Sequence, residues 1–351
     1  MNDLKLVDPK NIIVSRTDKI GDLVLSIPSF CALRDMYPNA KIHVLARSYN
    51  CPILEELCSI DNVICVDQYS DEELLNKVKE INAEVFVALF ANSKIFTLAR
   101  KSKIKYRVGP YSKIMSFISF NKGVRQKRSL SIQNEAQYNL DLVKSLNHEL
   151  FNKVTIRKEP ITYSYQNDDV VLKFLKEENL SNKDFIIIHQ FTGGSAKNIT
   201  IKDYITVINK LFKKDPNLNI VITCAEGDKE DAQVISNNVD KKVHLFINKG
   251  SLLNLVAMID KCSTFVGGST GPSHIAGNLD KPCVCLYPVK PSLSKTRWGL
   301  FLNENVTYLS PDQNNHDENY KSKLFDIIND EFLESFAESI LNRLKYSFKK
   351  D

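Results

Sequence analysis

The chain has 351 residues, of which 43% are hydrophobic and 25% are charged, a composition typical of soluble globular proteins. Its length allows two domains of ordinary size. The longest apolar runs, such as 85–91, are far too short to span a bilayer. The first residues lack the basic start and apolar core of a secretory signal, so the sequence predicts a cytoplasmic protein.

The net charge of +5 is unevenly distributed along the chain. Residues 85–134, called the acid-free segment below, contain eleven lysines and arginines and no acidic residue. The rest of the chain therefore has 36 basic against 42 acidic residues. Such clustering predicts a local anion-binding surface, with a solvated basic loop that has no partner as the alternative.

The eight cysteines form no C-x-x-C pair and no Cys/His set with zinc-ligand spacing. Cys283 and Cys285 alternate on a predicted strand, and Cys31, Cys224 and Cys262 lie in apolar surroundings. We therefore expect buried, reduced thiols and no metal site.

Strands alternate with helices in the first half of the chain. The apolar patterns predict strands over 11–15, 41–45, 62–66 and 84–89, and helices over 23–36 and 72–81. The polar stretch 158–169 is interpreted as the boundary between an N-terminal domain, 1–160, and a C-terminal domain, 161–351.

The alternation restarts after this boundary. Helices are predicted over 170–178, 202–212, 231–237 and 252–260, and strands over 185–189, 219–224, 243–247, 264–266 and 283–287. Alternation of this kind indicates an α/β fold of two doubly wound, Rossmann-like domains that face a cleft. Ligands are expected at the carboxyl ends of the strands.

A long amphipathic helix is predicted over 324–350. Its apolar stripe predicts that the helix packs against a hydrophobic core, and packing back against the N-terminal domain is one way to do so. Binding of its basic end to a membrane surface is the alternative. The stripe consists of Phe325, Ile328, Phe332, Phe336, Ile340 and Leu344.

A glycine-rich turn follows the predicted strand 264–266. Gly268 and Gly271 lack a Cβ that would keep a ligand away from the backbone. The N–H groups of Ser273, His274 and Ile275 are expected to point out of the helix start, where an anion is favoured. The turn predicts a diphosphate site, and a tight turn without a ligand is the alternative.

Two further turns have residues suited to chemistry. Asp22 follows the first strand, where it could act as a general base or as a helix N-cap. The turn 191–197 combines Gly193 and Gly194 with Lys197 and could hold phosphate oxygens, although a solvated lysine is the alternative. It is not a Walker A loop, because no Gly-Lys-Ser/Thr follows the glycines.

Other enzyme classes find little support in the motifs. The chain has no G-x-S-x-G sequence, which a serine hydrolase elbow would need. It also lacks G-x-G-x-x-G after the first strand, which a dinucleotide dehydrogenase would need.

The three turns together resemble glycosyltransferase family 9, the heptosyltransferase family of lipopolysaccharide core assembly. The resemblance lies in 13–23 with Pro28, in 189–197, and in 266–274 with Lys281-Pro282. It implies the two-domain GT-B fold, a nucleotide-activated donor sugar such as ADP-heptose, and inversion of the anomeric centre without metal or cofactor. The implied acceptor is an anionic lipid A–Kdo or core glycolipid, reached by peripheral contact with the inner membrane.

The resemblance also assigns roles to residues. Asp22 would be the base, and Lys197 would stabilise the departing diphosphate. The donor would contact Thr192, Gly193, Gly194, Asp228, Gly268, Ser269, Thr270, Gly271, Ser273 and His274. The candidate acceptor contacts come from the basic residues themselves: Arg16 and Lys19 in the first turn, and Arg125, Lys127 and Arg128 in the acid-free segment. Nucleic acid is not the expected partner, because no nucleic-acid module is present.

Two departures from the family pattern leave the donor sugar open. Ser269 stands where the family usually has aspartate, and Tyr287-Pro288-Val289 stands where Phe-Gly-Pro is usual. A hexose or another nucleotide is therefore an alternative. An alternative from another functional class is a nucleotide-sugar-binding protein, or an epimerase, that has no transferase activity.

Overall fold

The computed structural model describes residues 5–192, 198–311 and 328–347. The chain divides into two compact units, Met1–Ile161 and Thr162–Asp351. Each unit contains one six-stranded sheet in which every strand pair is parallel. This architecture confirms the predicted α/β class with two doubly wound sheets, while the cleft between the domains stays a prediction.

The sheet of the first unit has the strand order β3-β2-β1-β4-β5-β6. The order reverses between β1 and β4, and the carboxyl ends of these two strands form the switch point where doubly wound sheets bind ligands. Both strands are almost entirely buried, as expected where helices cover both faces. The strands are β1 (Asn11–Ser15), β2 (Lys41–Ala46), β3 (Asn62–Cys65), β4 (Val85–Ala88), β5 (Tyr106–Pro110) and β6 (Lys122–Val124).

The single helix predicted over 23–36 is two helices in the structure. The first ends at Val24 and the second begins at Ile27. Pro28 causes the break, because its ring would clash with the carbonyl of Val24 in a continuous helix. The helices of this unit are α1 (Ile20–Val24), α2 (Ile27–Met36), α3 (Asp71–Glu80), α4 (Ser93–Ser102), α5 (Ile114–Ser119), α6 (Glu135–Lys144) and α7 (His148–Phe151).

The second unit repeats the same winding. Its strand order is β12-β11-β10-β7-β8-β9, so that the switch point lies between β7 and β10. The edge strand β12 was not predicted, because its residues are all half-buried and no fully apolar run marks it in the sequence. The strands are β7 (Ile186–His189), β8 (Ile220–Ala225), β9 (His244–Asn248), β10 (Thr264–Gly268), β11 (Cys283–Leu286) and β12 (Val306–Leu309).

The terminal helix packs into the core of the second unit. Within the predicted stripe, Phe336, Ile340 and Leu344 are buried there, and Phe325 lies outside the described residues. No helix in the described ranges is long and apolar enough to cross a membrane. The helices are α8 (Tyr165–Glu177), α9 (Ile201–Lys214), α10 (Lys229–Asn237), α11 (Leu252–Lys261), α12 (Gly271–Asn278), α13 (Lys295–Trp298) and α14 (Asp330–Ser347).

One pair of cysteines departs from the expected reduced state. Cys51 and Cys65 form a disulfide, so the expectation of reduced thiols throughout is wrong for this pair. The parallel pairing of β2 with β3 brings the two cysteines to the same sheet edge, with their Cα atoms 6.3 Å apart. The five cysteines predicted as buried thiols are free and buried: Cys31, Cys224, Cys262, Cys283 and Cys285.

Candidate functional site

A buried arginine organises the carboxyl edge of the first sheet. Arg16 follows β1 directly and is 1% exposed. Its Nε donates to Asp18 at 2.7 Å, and its Nη2 donates to Asp22. Its Nη1 lies 3.4 Å from the carbonyl oxygen of Leu89, which follows β4. The guanidinium therefore spans the switch point of the sheet.

Helix α6 supplies further partners for this arginine. Arg16 Nη1 donates to Glu135 at 3.1 Å and to Asn139 at 2.9 Å. The Glu135 carboxylate also accepts from Arg128 at 2.6 Å. Asn139 in turn donates to Ser26 Oγ at 3.1 Å. These bonds fix the turn after β1 to α6 and to the loop after β6.

The structure places Asp22 inside α1 and not at its cap. The N-cap of α1 is Lys19, which makes no side-chain capping bond, so the capping interpretation of Asp22 is wrong. Arg16 holds the Oδ1 atom of Asp22. Among the described residues, Asp22 Oδ2 has no hydrogen-bond partner, and the side chain is 15% exposed. One carboxylate oxygen is thus fixed and the other is available.

Burial and charge oppose each other in this cluster. Burial alone would lower the pKa of Arg16, but the carboxylates of Asp18, Asp22 and Glu135 together raise it. Burial raises the pKa of Asp18 to about 7, against the attraction of Arg16. The geometry does not support the predicted acceptor contact of Arg16, because its buried guanidinium holds carboxylates of the protein itself.

The other basic residues assigned to the acceptor differ in their exposure. Lys19 is exposed at the start of α1, and Arg125 and Lys127 are exposed after β6. Arg128 is half-buried and anchored by Glu135, so only part of its side chain faces solvent. Since β1 and β6 are parallel, these residues lie along one edge of the sheet.

In the second unit, Thr270 caps the helix that follows the glycine-rich turn. Its Oγ1 accepts from the Ser273 N–H at 3.4 Å, and its carbonyl accepts from the His274 N–H at 3.3 Å. The expectation that these two N–H groups face an anion is therefore wrong. Within the described part of the chain, the N–H groups of Ser269, Thr270 and Gly271 make no hydrogen bond.

The glycines of this turn are needed for packing within the protein. A Cβ on Gly267 would lie 3.0 Å from the His189 carbonyl oxygen, and one on Gly268 would lie 3.1 Å from Asn198 Nδ2. The Asn198 amide also donates to the Gln190 carbonyl at 2.9 Å. The two loops at the switch point are thus in direct contact.

Two further residues belong to this edge of the second sheet. His189 ends β7 and its Nδ1 lies 2.9 Å from Thr223 Oγ1, while burial lowers its pKa to about 4. The imidazole is therefore neutral at neutral pH. Asp228 is half-buried at the start of α10, and its pKa is raised by burial and by Asp231.

Some predicted site residues fall beyond what the structure describes. Gly193, Gly194 and Lys197 lie outside the described residues, and Thr192 is the last residue before them. Within the described ranges, no group of three or more His, Cys, Asp or Glu side chains could hold a metal ion.

A cavity of about 550 Å³ lies at the opposite, amino edge of the second sheet, between Asn217, Ser263 and Lys345.

Comparison with known proteins places the chain in a family. A model described as glycosyltransferase family 9 (heptosyltransferase) matches residues 110–327. A Haemophilus influenzae protein, named provisionally as a glycosyltransferase, is 31% identical over 297 residues, which cover 82% of this chain and 85% of that protein. The chain belongs to glycosyltransferase family 9. It is therefore a glycosyltransferase, as the resemblance implied.

Solved structures show the fold of this glycosyltransferase. A family 9 protein from Veillonella parvula aligns with a TM-score of 0.80 over 100% of both chains, at 18% identity. The Escherichia coli ADP-heptose lipopolysaccharide heptosyltransferase II aligns with a TM-score of 0.75 over 96% of this chain and 99% of that one, at 17% identity. The predicted GT-B fold is thereby confirmed.

Sequence reasoning missed two residues of the glycosyltransferase that touch the Arg16 cluster. Glu135 and Asn139 lie more than a hundred residues from Arg16, and nothing local pairs them. One signal was available, because Glu135 is the first acidic residue after the acid-free segment. An isolated carboxylate beside so many cations is a candidate ion-pair partner.

Proposed function

We propose that this family 9 glycosyltransferase transfers heptose or a related sugar from a nucleotide sugar to an anionic lipopolysaccharide-type acceptor, with inversion and without a metal. The observation that carries the proposal is the state of Asp22. Its carboxylate lies at a switch point, one oxygen is held by a buried arginine, and the other oxygen has no partner among the described residues. That is the arrangement a general base needs.

The proposed step is a direct displacement at the anomeric carbon. Asp22 Oδ2 accepts the proton of an acceptor hydroxyl, and the hydroxyl oxygen forms a bond to the anomeric carbon. The bond from that carbon to the diphosphate oxygen breaks, and its electron pair leaves with the nucleoside diphosphate. Attack from the face opposite the leaving group inverts the configuration.

We assign the leaving group to the turn before α12. The N–H groups of Ser269, Thr270 and Gly271 are directed at no protein acceptor among the described residues, and the helix dipole favours an anion there. Lys197 would add a positive charge, as the resemblance implies. Charge that develops on the diphosphate would then be stabilised at fixed positions.

For the donor sugar, two candidates remain, a heptose and a hexose. The solved relative from Escherichia coli is named for ADP-heptose, which supports heptose. Ser269 and Pro288 depart from the family pattern, and they follow β10 and β11, which are parallel neighbours. Both changes therefore lie beside the proposed diphosphate turn, which favours a second candidate, a hexosyltransferase.

We assign the acceptor to the exposed cations of the first unit. Lys19, Arg125 and Lys127 are exposed along the edge that holds Asp22, and their charge suits phosphate or carboxylate groups on a glycolipid. Arg128 would contribute through its exposed part. The proposed location is the inner face of the inner membrane, and nucleic acid is not a proposed partner.

The experiment that tests this function is a donor screen followed by a transfer assay. ADP-heptose and common UDP- and GDP-hexoses are screened by thermal shift, and the best ligand is incubated with Kdo–lipid A or a truncated core acceptor. We expect transfer with inverted anomeric configuration, read by NMR, and the same rate with EDTA. Retention of configuration, loss of activity in EDTA, or donor hydrolysis without transfer would contradict the proposal.

A further inference from the structure

Helix α5 of the first unit has its apolar and polar faces reversed. Ser116 and Ser119 are fully buried, whereas Ile114 is 82% exposed and Phe117 and Ile118 are each 53% exposed. A surface helix normally buries its large apolar side chains and exposes its small polar ones. Reversal on this scale indicates a surface that is covered in the working protein.

The same region holds a large share of the exposed apolar side chains. Of the thirteen large hydrophobic residues exposed in the described chain, six lie between 114 and 132, including Met115, Leu130 and Ile132. Strands β5 and β6 are parallel neighbours, and the Tyr111 N–H donates to the Val124 carbonyl at 2.9 Å. The segments after both strands therefore start from one edge of the sheet.

Positive charge surrounds these apolar side chains. Lys113, Arg125 and Lys127 are exposed within the acid-free segment, and no acidic residue of that segment compensates them. A second copy of this chain would bring a like-charged surface against this one, which is unfavourable. Exposed apolar residues with a basic border are typical of proteins that bind an anionic lipid surface.

We propose that α5 and the loop 125–132 form a membrane-docking surface that inserts Ile114, Phe117 and Ile118 between the headgroups of an anionic lipid bilayer. The lysines and arginines beside them contact the headgroup phosphates. Arg128, in the same loop, is tied through Glu135 to Arg16. Docking therefore holds the Asp22 edge of the first unit near lipid-borne acceptors.

The test is co-sedimentation of the full chain with vesicles. Wild type and the triple variant Ile114→Ser, Phe117→Ser, Ile118→Ser are compared on phosphatidylcholine vesicles with and without phosphatidylglycerol. The matched control is Val170→Ser with Leu172→Ser, two exposed apolar residues on α8 of the other unit. We expect wild type and control to bind anionic vesicles, and the triple variant to bind at least about tenfold more weakly.

Equal binding of wild type and triple variant would overturn the proposal, and so would equal binding of wild type to neutral vesicles. Size-exclusion chromatography with light scattering supplies another outcome. If wild type is a dimer and the triple variant is a monomer, a second copy of the chain covers the surface. That result would also overturn the docking proposal. Circular dichroism checks that the triple variant folds.

Failure of this proposal and of the proposed function can be told apart. Vesicle binding needs no catalysis, whereas transfer to a water-soluble acceptor needs no membrane. We expect the triple variant to retain the wild-type rate on the soluble acceptor. Binding without any transfer would contradict the enzymatic proposal alone, and transfer without binding would contradict the docking proposal alone.

Discussion

Arg16 fixes the turn after β1 because one guanidinium holds several oxygen atoms at once. The planar fork of arginine suits this task, since its donors have fixed directions. Its partners come from the turn itself, from the loop after β4 and from α6. We infer that Arg16 and Glu135 are positioning residues for Asp22 and do not contact substrate.

The first prediction concerns Glu135. Glu135→Gln removes the charge that ties Arg16 to Arg128, so that Asp22 loses part of its fixed orientation. We expect kcat to fall roughly 10–100-fold with little change in the KM for the donor, because a small misplacement of a base is costly. Steady-state kinetics check this. The control is Glu149→Gln, which breaks an exposed ion pair between Glu149 and Lys5.

Glu135→Asp distinguishes positioning from simple loss of stability. The shorter carboxylate keeps the charge and is expected to restore part of kcat. A Glu135→Gln variant that melts lower but turns over normally would assign Glu135 to stability alone.

The second prediction concerns His189 and pH. Its folded-state pKa is about 4 because it is buried, whereas the unfolded value is near 6.5. Stability is therefore fully present above pH 6.5 and is lost as pH falls toward 4, since only the unfolded chain takes up the proton. The total is about 3 kcal/mol.

Urea unfolding from about pH 7.5, above the unfolded-state pKa, down to about pH 4.5, just above the folded-state pKa, measures this effect. We expect His189→Asn to be less stable than wild type at neutral pH and to lose less stability on acidification. His148→Asn, at an exposed position, is the control. Parallel pH profiles for wild type and His189→Asn would show that His189 does not cause the loss of stability in acid.

At the scale of elements, α12 depends on its cap. Thr270→Val removes the acceptor of the Ser273 N–H and is expected to cost about 1 kcal/mol of stability. Because the same residue sets the direction of the N–H groups of Ser269, Thr270 and Gly271, nucleotide affinity should fall as well. Ser251→Ala, at the cap of α11, should cost similar stability and leave nucleotide affinity unchanged.

Isothermal titration with the nucleoside diphosphate reads the affinity, and thermal unfolding reads the stability. Thr270→Ser keeps the hydroxyl and should behave as wild type. If Thr270→Val binds the nucleotide as tightly as Ser251→Ala does, the turn before α12 is not the diphosphate site.

The elements that could be predicted from the sequence are those whose signal is local. Strands such as β1 and β4 are apolar on both faces, and their patterns were sufficient. The strands β5 and β6 were not predicted, because lysine, arginine, glycine and proline interrupt their apolar residues. Similarly, the pairing of Arg16 with Glu135 depends on a separation of 119 residues, which no local pattern encodes.

The candidate site was predictable in part for the same reason. Turns at strand ends, such as those at Asp22 and Thr270, are visible in the sequence as glycine, aspartate and hydroxyl residues. The cap that forms decides which N–H groups stay unbonded among the described residues, so the donors that we propose are those of 269–271 and not those of 273–275. Burial of Arg16 was likewise not visible, because a basic residue after a strand is usually exposed.

At the scale of the whole molecule, charge is separated along the chain, and this leads to the fourth prediction. Arg125→Ser with Lys127→Asn removes two exposed cations, and asparagine tolerates the left-handed backbone of residue 127. We expect a higher acceptor KM and unchanged donor affinity, with added salt weakening wild type in the same way. Acceptor kinetics as a function of salt check this.

The control for charge is Lys10→Ser with Lys41→Ser. These lysines are exposed at the amino edge of the same sheet. The control therefore removes the same net charge as Arg125→Ser with Lys127→Asn, but at the edge opposite the proposed acceptor site. An equal rise in acceptor KM for both double variants would show that overall charge is responsible and that the loop after β6 is not the acceptor site.

Two measurements on Asp22→Asn test most directly whether Asp22 is the base. We expect nucleotide-sugar affinity close to wild type by titration, with turnover reduced roughly 10²–10⁴-fold, the usual contribution of a general base. Asp71→Asn, an exposed carboxylate at the start of α3, should turn over as wild type does. Normal turnover by Asp22→Asn would contradict the central claim that Asp22 is the base.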